Sequence, residues 1–379
     1  MIEQWGWVIL LHGGSFAAML YSWFLHWYRR QWRGMPTFKV PDTYCPDTTV
    51  TVLVAARNEA ASIQACLTAL KRQSYPPHLL EVIIIDDGSE DATAERVESF
   101  YWPRLRLIRR QGGGKKAALE QGVAAAAGEL ILTTDADCTV PENWVWHLAA
   151  GYRQYDAAFI AAPVQFIGEQ NMLQRFQSLD FLGMMLLTGA GITGQMHYLS
   201  NGANMAYPRQ VFLDLGGYRG NLDQASGDDV FLAHQIARRY PGQIIFLKTP
   251  QASVQTESEP TLSGFWQQRL RWASKNNQSR DRDLLLSLAQ VFLLCWFILL
   301  TLFTLPWYGL KGFLLFLILL GIKAFQDYHL LRQASTFFGR QDLMRYFGPS
   351  QVLHILYIAS IGLAANVKKT YRWKGRRLR

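Results

Sequence analysis

The chain has 379 residues, is 50% hydrophobic, and carries 38 basic against 29 acidic side chains for a net charge of +9. That length admits two or three domains, and the apolar residues are too unevenly spread for one soluble body, being concentrated near 4–27, 284–325 and 349–366. The positive excess flanks those segments (Arg29, Arg30 and Arg33 after the first; Lys368, Lys369, Arg372, Lys374, Arg376, Arg377 and Arg379 after the last), which fits anionic lipid at a membrane edge and excludes nucleic acid as the expected partner.

Residues 5–28, WGWVILLHGGSFAAMLYSWFLHWY, are long enough to cross a bilayer and carry aromatic anchors at both ends. No basic n-region precedes this run and no small-residue cleavage site follows it, so residues 1–33 are read as an anchor rather than a signal peptide. The arginines behind it place the body, 34–280, on the cytoplasmic side of the cell (inner) membrane. After a polar linker at 34–48, the β-branched run 49–56 predicts a strand and 60–74 a helix. A second buried strand at 81–86 ends in Asp86-Asp87-Gly88-Ser89, and a helix follows at 90–101. A short strand at 105–108 leads through Gly112-Gly113-Gly114-Lys115 into an Ala-rich helix at 115–127, which Gly128 is expected to stop from the C′ position. Four cysteines, Cys45, Cys66, Cys138 and Cys295, are too few and too scattered for a disulfide framework and suit a reducing compartment.

The fourth strand, 129–135, is an apolar run that ends in Asp135-Ala136-Asp137. In extended chain, positions i and i+2 share a face, so the two carboxylates can converge on one ligand. Strands alternating with helices predict a parallel, doubly wound sheet, and the carboxyl ends of such strands are where ligands bind. A solvated turn carries the same two letters, so the pair gains meaning only from its partners. A helix is expected at 141–156 and a strand within 157–164. Residues 171–194 are read as a helix lying on the membrane or lining an acceptor entrance, the alternative being a buried core helix. Asp228 and Asp229 open an amphipathic helix, and a strand follows at 244–248. A second interfacial helix is expected at 261–280. The C-terminal region, 281–379, is expected to hold two spans, 284–304 and 308–325, and a third apolar segment at 349–366. If that segment spans, the basic tail lies outside, against the positive-inside tendency; the preferred reading is that it lies in or re-enters the membrane, which keeps the tail inside.

Several features suit phosphate and sugar chemistry. Asp135 and Asp137 suit a hard cation, Mg²⁺ or Mn²⁺, which usually arrives with phosphate oxygens. The Gly112–Lys115 turn offers backbone donors and one lysine, but it lacks P-loop spacing. No GxGxxG follows the first strand, which argues against a hydride-transfer enzyme. Asp229 is a candidate general base, and Arg271 with Trp272 offers a cation and an aromatic face.

Val54-Ala-Ala-Arg-Asn-Glu59, Asp86-Asp-Gly-Ser89, Gly114-Lys115, Asp135-Ala-Asp137, Gly202-Ala-Asn204, Gly227-Asp-Asp229 and Gln268-x-x-Arg271-Trp272 occur in one order and spacing. Over about 49–280 the chain thereby resembles the membrane-bound family-2 glycosyltransferases, which include ceramide glucosyltransferases and the processive chitin, hyaluronan and cellulose synthases. The resemblance implies a GT-A-type doubly wound mixed sheet, Rossmann-like in its nucleotide-sugar-binding part. It implies an inverting transfer from a UDP-sugar to a lipid acceptor, or alternatively a processive polysaccharide synthase. Ala55, Glu59 and Asp87 would line the uridine pocket, and Lys115 and Asp135 would lie along the donor. Asp135 and Asp137 would be the metal motif and Asp229 the base. Gln268, Arg271, Trp272 and Asn204 would serve the diphosphate and the acceptor end. One departure is Gly-Asp-Asp where Gly-Glu-Asp or Thr-Glu-Asp is common, which leaves the role of Asp228 open.

Overall fold

The computed structural model describes residues 2–219, 227–276, 282–367, 371–373 and 376–378. The chain opens with the 33-residue helix α1 (Ile2–Gly34). A run of alternating elements follows: β1 (Val50–Ala56), α2 (Ile63–Lys71), β2 (Leu80–Asp86), α3 (Thr93–Glu98), β3 (Leu105–Arg109), α4 (Lys115–Ala125), β4 (Leu130–Asp135) and α5 (Trp144–Tyr155). Two short strands, β5 (Phe159–Ala161) and β6 (Val164–Ile167), precede α6 (Met172–Thr193). Next come β7 (Met205–Pro208), α7 (Arg209–Asp214), α8 (Asp228–Arg239), β8 (Ile244–Phe246) and β9 (Val254–Glu257). The helices α9 (Leu262–Asn276), α10 (Arg282–Phe303), α11 (Leu305–Phe337) and α12 (Phe347–Val367) complete the sequence of main elements. They form two compact units. A sheet unit comprises Met35–Gly168, Gly191–Ser258 and Arg372–Arg379, and a helical unit comprises Met1–Gly34, Glu169–Ala190 and Glu259–Tyr371.

The sheet unit is built on a seven-stranded mixed sheet of order β3-β2-β1-β4-β7-β5-β8, the doubly wound type expected. β1, β2, β3 and β4 run parallel. The Val/Ile/Leu runs of β1, β2 and β4 are buried on both faces, with Val52, Leu53, Val54, Ile83, Ile84, Ile85, Leu130, Ile131 and Leu132 all at 0% exposure. In register, Ala55 pairs with Asp135 across β1–β4 and Ala56 with Asp86 across β1–β2, so the loops leaving these strands start from one line. β7 enters antiparallel between β4 and β5, and no strand is expected there from sequence because four residues, MAYP, carry no periodic signal. The strand expected within 157–164 is divided at Pro163. β5 joins the large sheet, whereas β6 pairs with β9 in a small second sheet. Gly128 also works differently from expectation. α4 ends at Ala125, and Gly128 is needed because a side chain there would begin 2.5 Å from the Thr51 amide nitrogen.

In the helical unit, α1 packs on α10 and α11, α10 on α11 and α12, and α9 on α12. Among the described residues, four segments are long and apolar enough to cross a membrane: Gln4–Gly34, Arg282–Phe303, Leu305–Phe337 and Gln341–Ala364. Large apolar side chains point outward along them, including Ile9, Trp23, Phe303, Leu310, Ile318 and Leu356. α11 runs twelve residues past the expected end at 325, because Lys323 and Asp327, which interrupt the apolar run, pair with each other inside the unit. α6 is enclosed rather than lying free on a surface: Phe176, Leu179, Leu182 and Leu186 are buried, which is the core-helix alternative. Residues 277–280 of the second expected interfacial helix, and Lys368, Lys369, Lys374 and Arg379 of the tail, lie outside the described residues.

Candidate active site

The loops at the carboxyl ends of β1 and β2 are tied together by Arg57. Its Nη1 donates to the Asp87 and Gly88 carbonyls at 2.9 and 3.0 Å, and Nη2 pairs with Glu90 at 2.9 Å. Asn58 reverses the chain in the left-handed region at φ 52°. Glu59 follows, its amide donating to Thr93 Oγ1 at 2.8 Å while its carboxylate accepts from Ser62 Oγ at 2.7 Å. Asp87, 4% exposed, accepts the Gly114 N–H at 2.9 Å, which ties in the glycine loop as well. Gly112, Gly113 and Gly114 have φ of 95°, 130° and 90°, a run that side chains rarely adopt. Ala55 lies near the end of β1, and Glu59 and Asp87 lie on the loops that leave β1 and β2.

Lys115 opens α4 directly after that loop. Its ammonium donates to Asp135 Oδ1 at 2.6 Å and lies 3.6 Å from Asp228 Oδ2. Burial works against its charge, but Asp135 and then Asp228 hold it above the ordinary lysine range. Asp137 stands two residues past Asp135 and accepts from the Cys138 thiol at 3.6 Å, and ligand atoms of Asp135, Asp137 and Cys138 fall within 4.8 Å of one another. Desolvation, then the Asp135 anion, raises the Asp137 carboxyl. Burial and then the two carboxylates push the Cys138 thiol well up, so it remains a protonated donor. This donor set fits a hard divalent cation through the carboxylate oxygens of Asp135 and Asp137, with Cys138 left out.

Asp228 and Asp229 occupy the first turn of α8, where the helix dipole favours anions, and both are buried. Asp229 Oδ2 accepts the Gly202 N–H at 3.3 Å and Oδ1 accepts the Val230 N–H at 2.8 Å, which fixes the carboxylate's orientation. The Gly202 carbonyl is held in turn by Thr133 Oγ1 at 2.8 Å. A side chain at Gly202 would begin 3.0 Å from Lys115 Nζ and 3.2 Å from Asp228 Oδ2, so the 201–204 loop must be bare where it passes the lysine.

Asn204 departs from its expected place at the diphosphate and acceptor end. It is 0% exposed; Oδ1 accepts from Trp144 Nε1 at 2.8 Å, and Nδ2 donates to the Pro163 and Ala252 carbonyls at 2.6 and 2.7 Å. With both donors spent inside the core, Asn204 is a strut beneath the site. Gln268, Arg271 and Trp272 lie on α9 in the helical unit, each partly exposed. The sheet unit therefore assembles Ala55, Glu59, Asp87, Lys115, Asp135, Asp137 and Asp229, and the helical unit carries the other three. Sequence reasoning does not find Asp228 as a lysine partner, and its only signal is a second acid at a helix start.

A seven-stranded mixed sheet with acids at its carboxyl edge and an anionic pair beside a glycine–lysine turn defines a GT-A-type nucleotide-sugar fold. Residues 51–214 match the model of Glycosyl transferase family 2. The chain is 29% identical over 242 residues to the beta-monoglucosyldiacylglycerol synthase of Trichormus variabilis, covering 60% of this chain and 49% of that one. It is 22% identical over 246 residues to the poly-beta-1,6-N-acetyl-D-glucosamine synthase of Staphylococcus epidermidis, covering 62% and 56% respectively. The chain thus spans about half the length of these relatives. Among solved structures, a mannosyltransferase from Pyrobaculum calidifontis in complex with GDP-Man and Mn²⁺ superposes with a TM-score of 0.55 at 19% identity, over 94% of this chain and 97% of that one.

Proposed function

We propose that the chain is an inverting hexosyltransferase that moves a sugar from a nucleotide diphosphate sugar, a UDP-sugar by preference, to the hydroxyl of a membrane lipid. The observation that carries this reading is the cluster at the sheet edge, where Lys115 bridges Asp135 and Asp228 beside Asp137 and Asp229. Ala55, Glu59 and Asp87 receive the nucleoside, and Lys115 with the Gly112 and Gly113 amides lies along the diphosphate. Asp135 and Asp137 would hold Mg²⁺ or Mn²⁺, which when bound neutralises the departing diphosphate. The Mn²⁺ in the Pyrobaculum structure supports this choice of ion.

Asp229, oriented by two backbone amides, takes the proton from the acceptor hydroxyl. The freed oxygen attacks the anomeric carbon as the carbon–oxygen bond to the diphosphate breaks, and a single displacement inverts that centre. Gln268, Arg271 and Trp272 serve the diphosphate and the acceptor end. Arg271 supplies a fixed positive charge for the leaving group.

A lipid acceptor is supported by the relative named as a glucosyldiacylglycerol synthase and by four helices able to cross a membrane. We place the protein in the cell membrane as a multi-pass chain with its sheet unit cytoplasmic, from the arginines that follow α1. We place 349–366 in the membrane without crossing it, a reading supported by the basic residues that follow it, which favour the cytoplasmic side. The relative that makes poly-N-acetylglucosamine favours a second reading, a processive synthase that also moves its product across the membrane.

The test of the assignment is Asp229→Asn. Transfer is expected to fall about 10²- to 10⁴-fold, while donor affinity stays within about twofold. Near-normal transfer by this variant would show that the base lies elsewhere.

A further inference from the structure

The helical unit buries a set of charged side chains that the proposed reaction does not use. Lys323 and Asp327 lie one turn apart on α11, at 0% and 9% side-chain exposure, with Nζ 2.6 Å from Asp327 Oδ2. Tyr21 of α1 donates its hydroxyl to the other oxygen of Asp327. The remaining ammonium hydrogens of Lys323 go to Gln351 Oε1 at 3.2 Å and His354 Nδ1 at 3.1 Å, both on α12. With Nδ1 accepting, the imidazole is neutral and carries its hydrogen on Nε2. That nitrogen lies 3.8 Å from Asp180 Oδ1 on α6. Asp180 Oδ2 is in turn 2.9 Å from Arg269 Nη2 on α9 and 3.5 Å from the Tyr357 hydroxyl. One chain of polar contacts therefore runs Tyr21–Asp327–Lys323–His354–Asp180–Arg269 through five helices.

The set balances, two cations against two carboxylates, as burial among apolar helices demands. Packing alone does not account for it, because apolar side chains of similar volume hold helices together as well or better. The informative feature is where the chain ends. Arg269 lies inside the Gln268–Trp272 element. Its guanidinium is 3% exposed and stands 5.1, 4.7 and 5.3 Å from the ring centroids of Phe265, Trp272 and Tyr357. Phe176 stacks edge-on to both Phe265 and Tyr357, and Phe181 lies 5.9 Å from Trp272, so the cation sits in an aromatic box. Successive residues of a helix are about 100° apart, so Gln268 and Arg271 leave α9 in directions fixed once Arg269 is fixed. A buried ion pair is lost when its charges separate, whereas an apolar contact tolerates rotation of a helix.

We propose that Asp180 is a positioning residue for the transfer reaction. By pinning Arg269 it sets the rotation of α9 and thus the directions of Gln268 and Arg271. The Lys323 ammonium, on the far side of His354, supplies a second positive charge near Asp180. The inference rests on the sugar-transfer reading for what Gln268 and Arg271 do, but the pin itself is a property of the helical unit.

The test replaces the pair as a unit, Asp180→Leu with Arg269→Met, since removing one partner would strand the other's charge in the interior. In the full-length protein the donor KM is expected to stay within twofold and the acceptor KM to rise roughly tenfold. Amide exchange across 262–276 is expected to speed up roughly tenfold relative to α10. A protein that is only less stable loses active fraction, which lowers kcat and leaves both KM values unchanged. An acceptor KM within twofold of the native value overturns the proposal. If the native protein transfers no sugar at all, the sugar-transfer reading fails and exchange alone decides the pin: faster exchange across α9 sustains it and unchanged protection overturns it. Should the double variant not fold, Lys323→Met with Asp327→Leu is measured in the same way one link further along the chain. A raised acceptor KM with faster exchange across α9 then sustains the proposal, and native values of both overturn it.

Discussion

Replacing Asn204 by Asp keeps the side-chain shape and reverses the role of one atom. The Trp144 bond to Oδ1 survives, but the Nδ2 donor shared by the Pro163 and Ala252 carbonyls, at 2.6 and 2.7 Å, becomes an oxygen. Two buried acceptors then face a third. Each unpaired buried carbonyl costs about 1–3 kcal/mol, or about 2–6 kcal/mol for both. A carboxyl that stays protonated can still donate to one of them, which leaves one carbonyl unpaired and a cost of about 1–3 kcal/mol. At roughly 2–4 °C per kcal/mol for a unit of this size, the sheet unit should melt about 2–12 °C lower. Thermal unfolding followed by tryptophan emission, with acceptor kinetics on the folded fraction, measures both consequences. An unchanged melting temperature together with a raised acceptor KM would refute the strut and return Asn204 to the acceptor site.

Asp137→Ala should remove the metal dependence of donor binding, so that donor affinity becomes the same with and without chelator; a retained chelator effect would place the metal on other ligands. Product analysis by proton NMR should show the anomeric configuration opposite to that of the donor, and retention would exclude a single displacement with Asp229 as base. Gly202→Ala should slow transfer with little loss of stability, because the new methyl would begin 3.0 Å from the Lys115 ammonium, and native rates would show that the loop has room. Glu81 predicts the acid limb of stability. Against the cost of its partial burial, the Ala127 amide, Arg106 and Thr51 hold its carboxyl below the usual range. A depressed folded pKa gives stability that is complete above the unfolded value, about 4.3, and is lost as pH falls through the folded value. Glu81→Gln should therefore flatten the fall in melting temperature on acidification, and an unaltered slope would contradict it.

The strands that carry the candidate site are readable because they are long and strongly patterned. Unbroken Val/Ile/Leu runs in β1, β2 and β4 identify strands buried on both faces, and the acid pairs after β2 and β4 are placed at the carboxyl edge by the alternation alone. What is not readable depends on partners distant in sequence. β7 is four residues long and exists only because β4 and β5 present edges on either side of it. Asn204 sits in a recognisable Gly202-Ala-Asn204 motif, yet its three partners, Trp144, Pro163 and Ala252, come from elements that no local pattern brings together. Hydropathy alone ends the third membrane helix at 325 because it scores Lys323 and Asp327 as a boundary, whereas the folded unit pairs them with each other and with Tyr21, Gln351 and His354.

The most direct measurement is the fate of a radiolabelled sugar. Membranes containing the native chain are incubated with labelled UDP-sugars and Mn²⁺ and then partitioned between organic solvent, water and insoluble material. Label is expected in the organic phase, dependent on divalent metal and absent with Asp229→Asn. Label in insoluble polymer would assign the chain to polysaccharide synthesis, and no incorporation from any UDP- or GDP-sugar would contradict sugar transfer altogether.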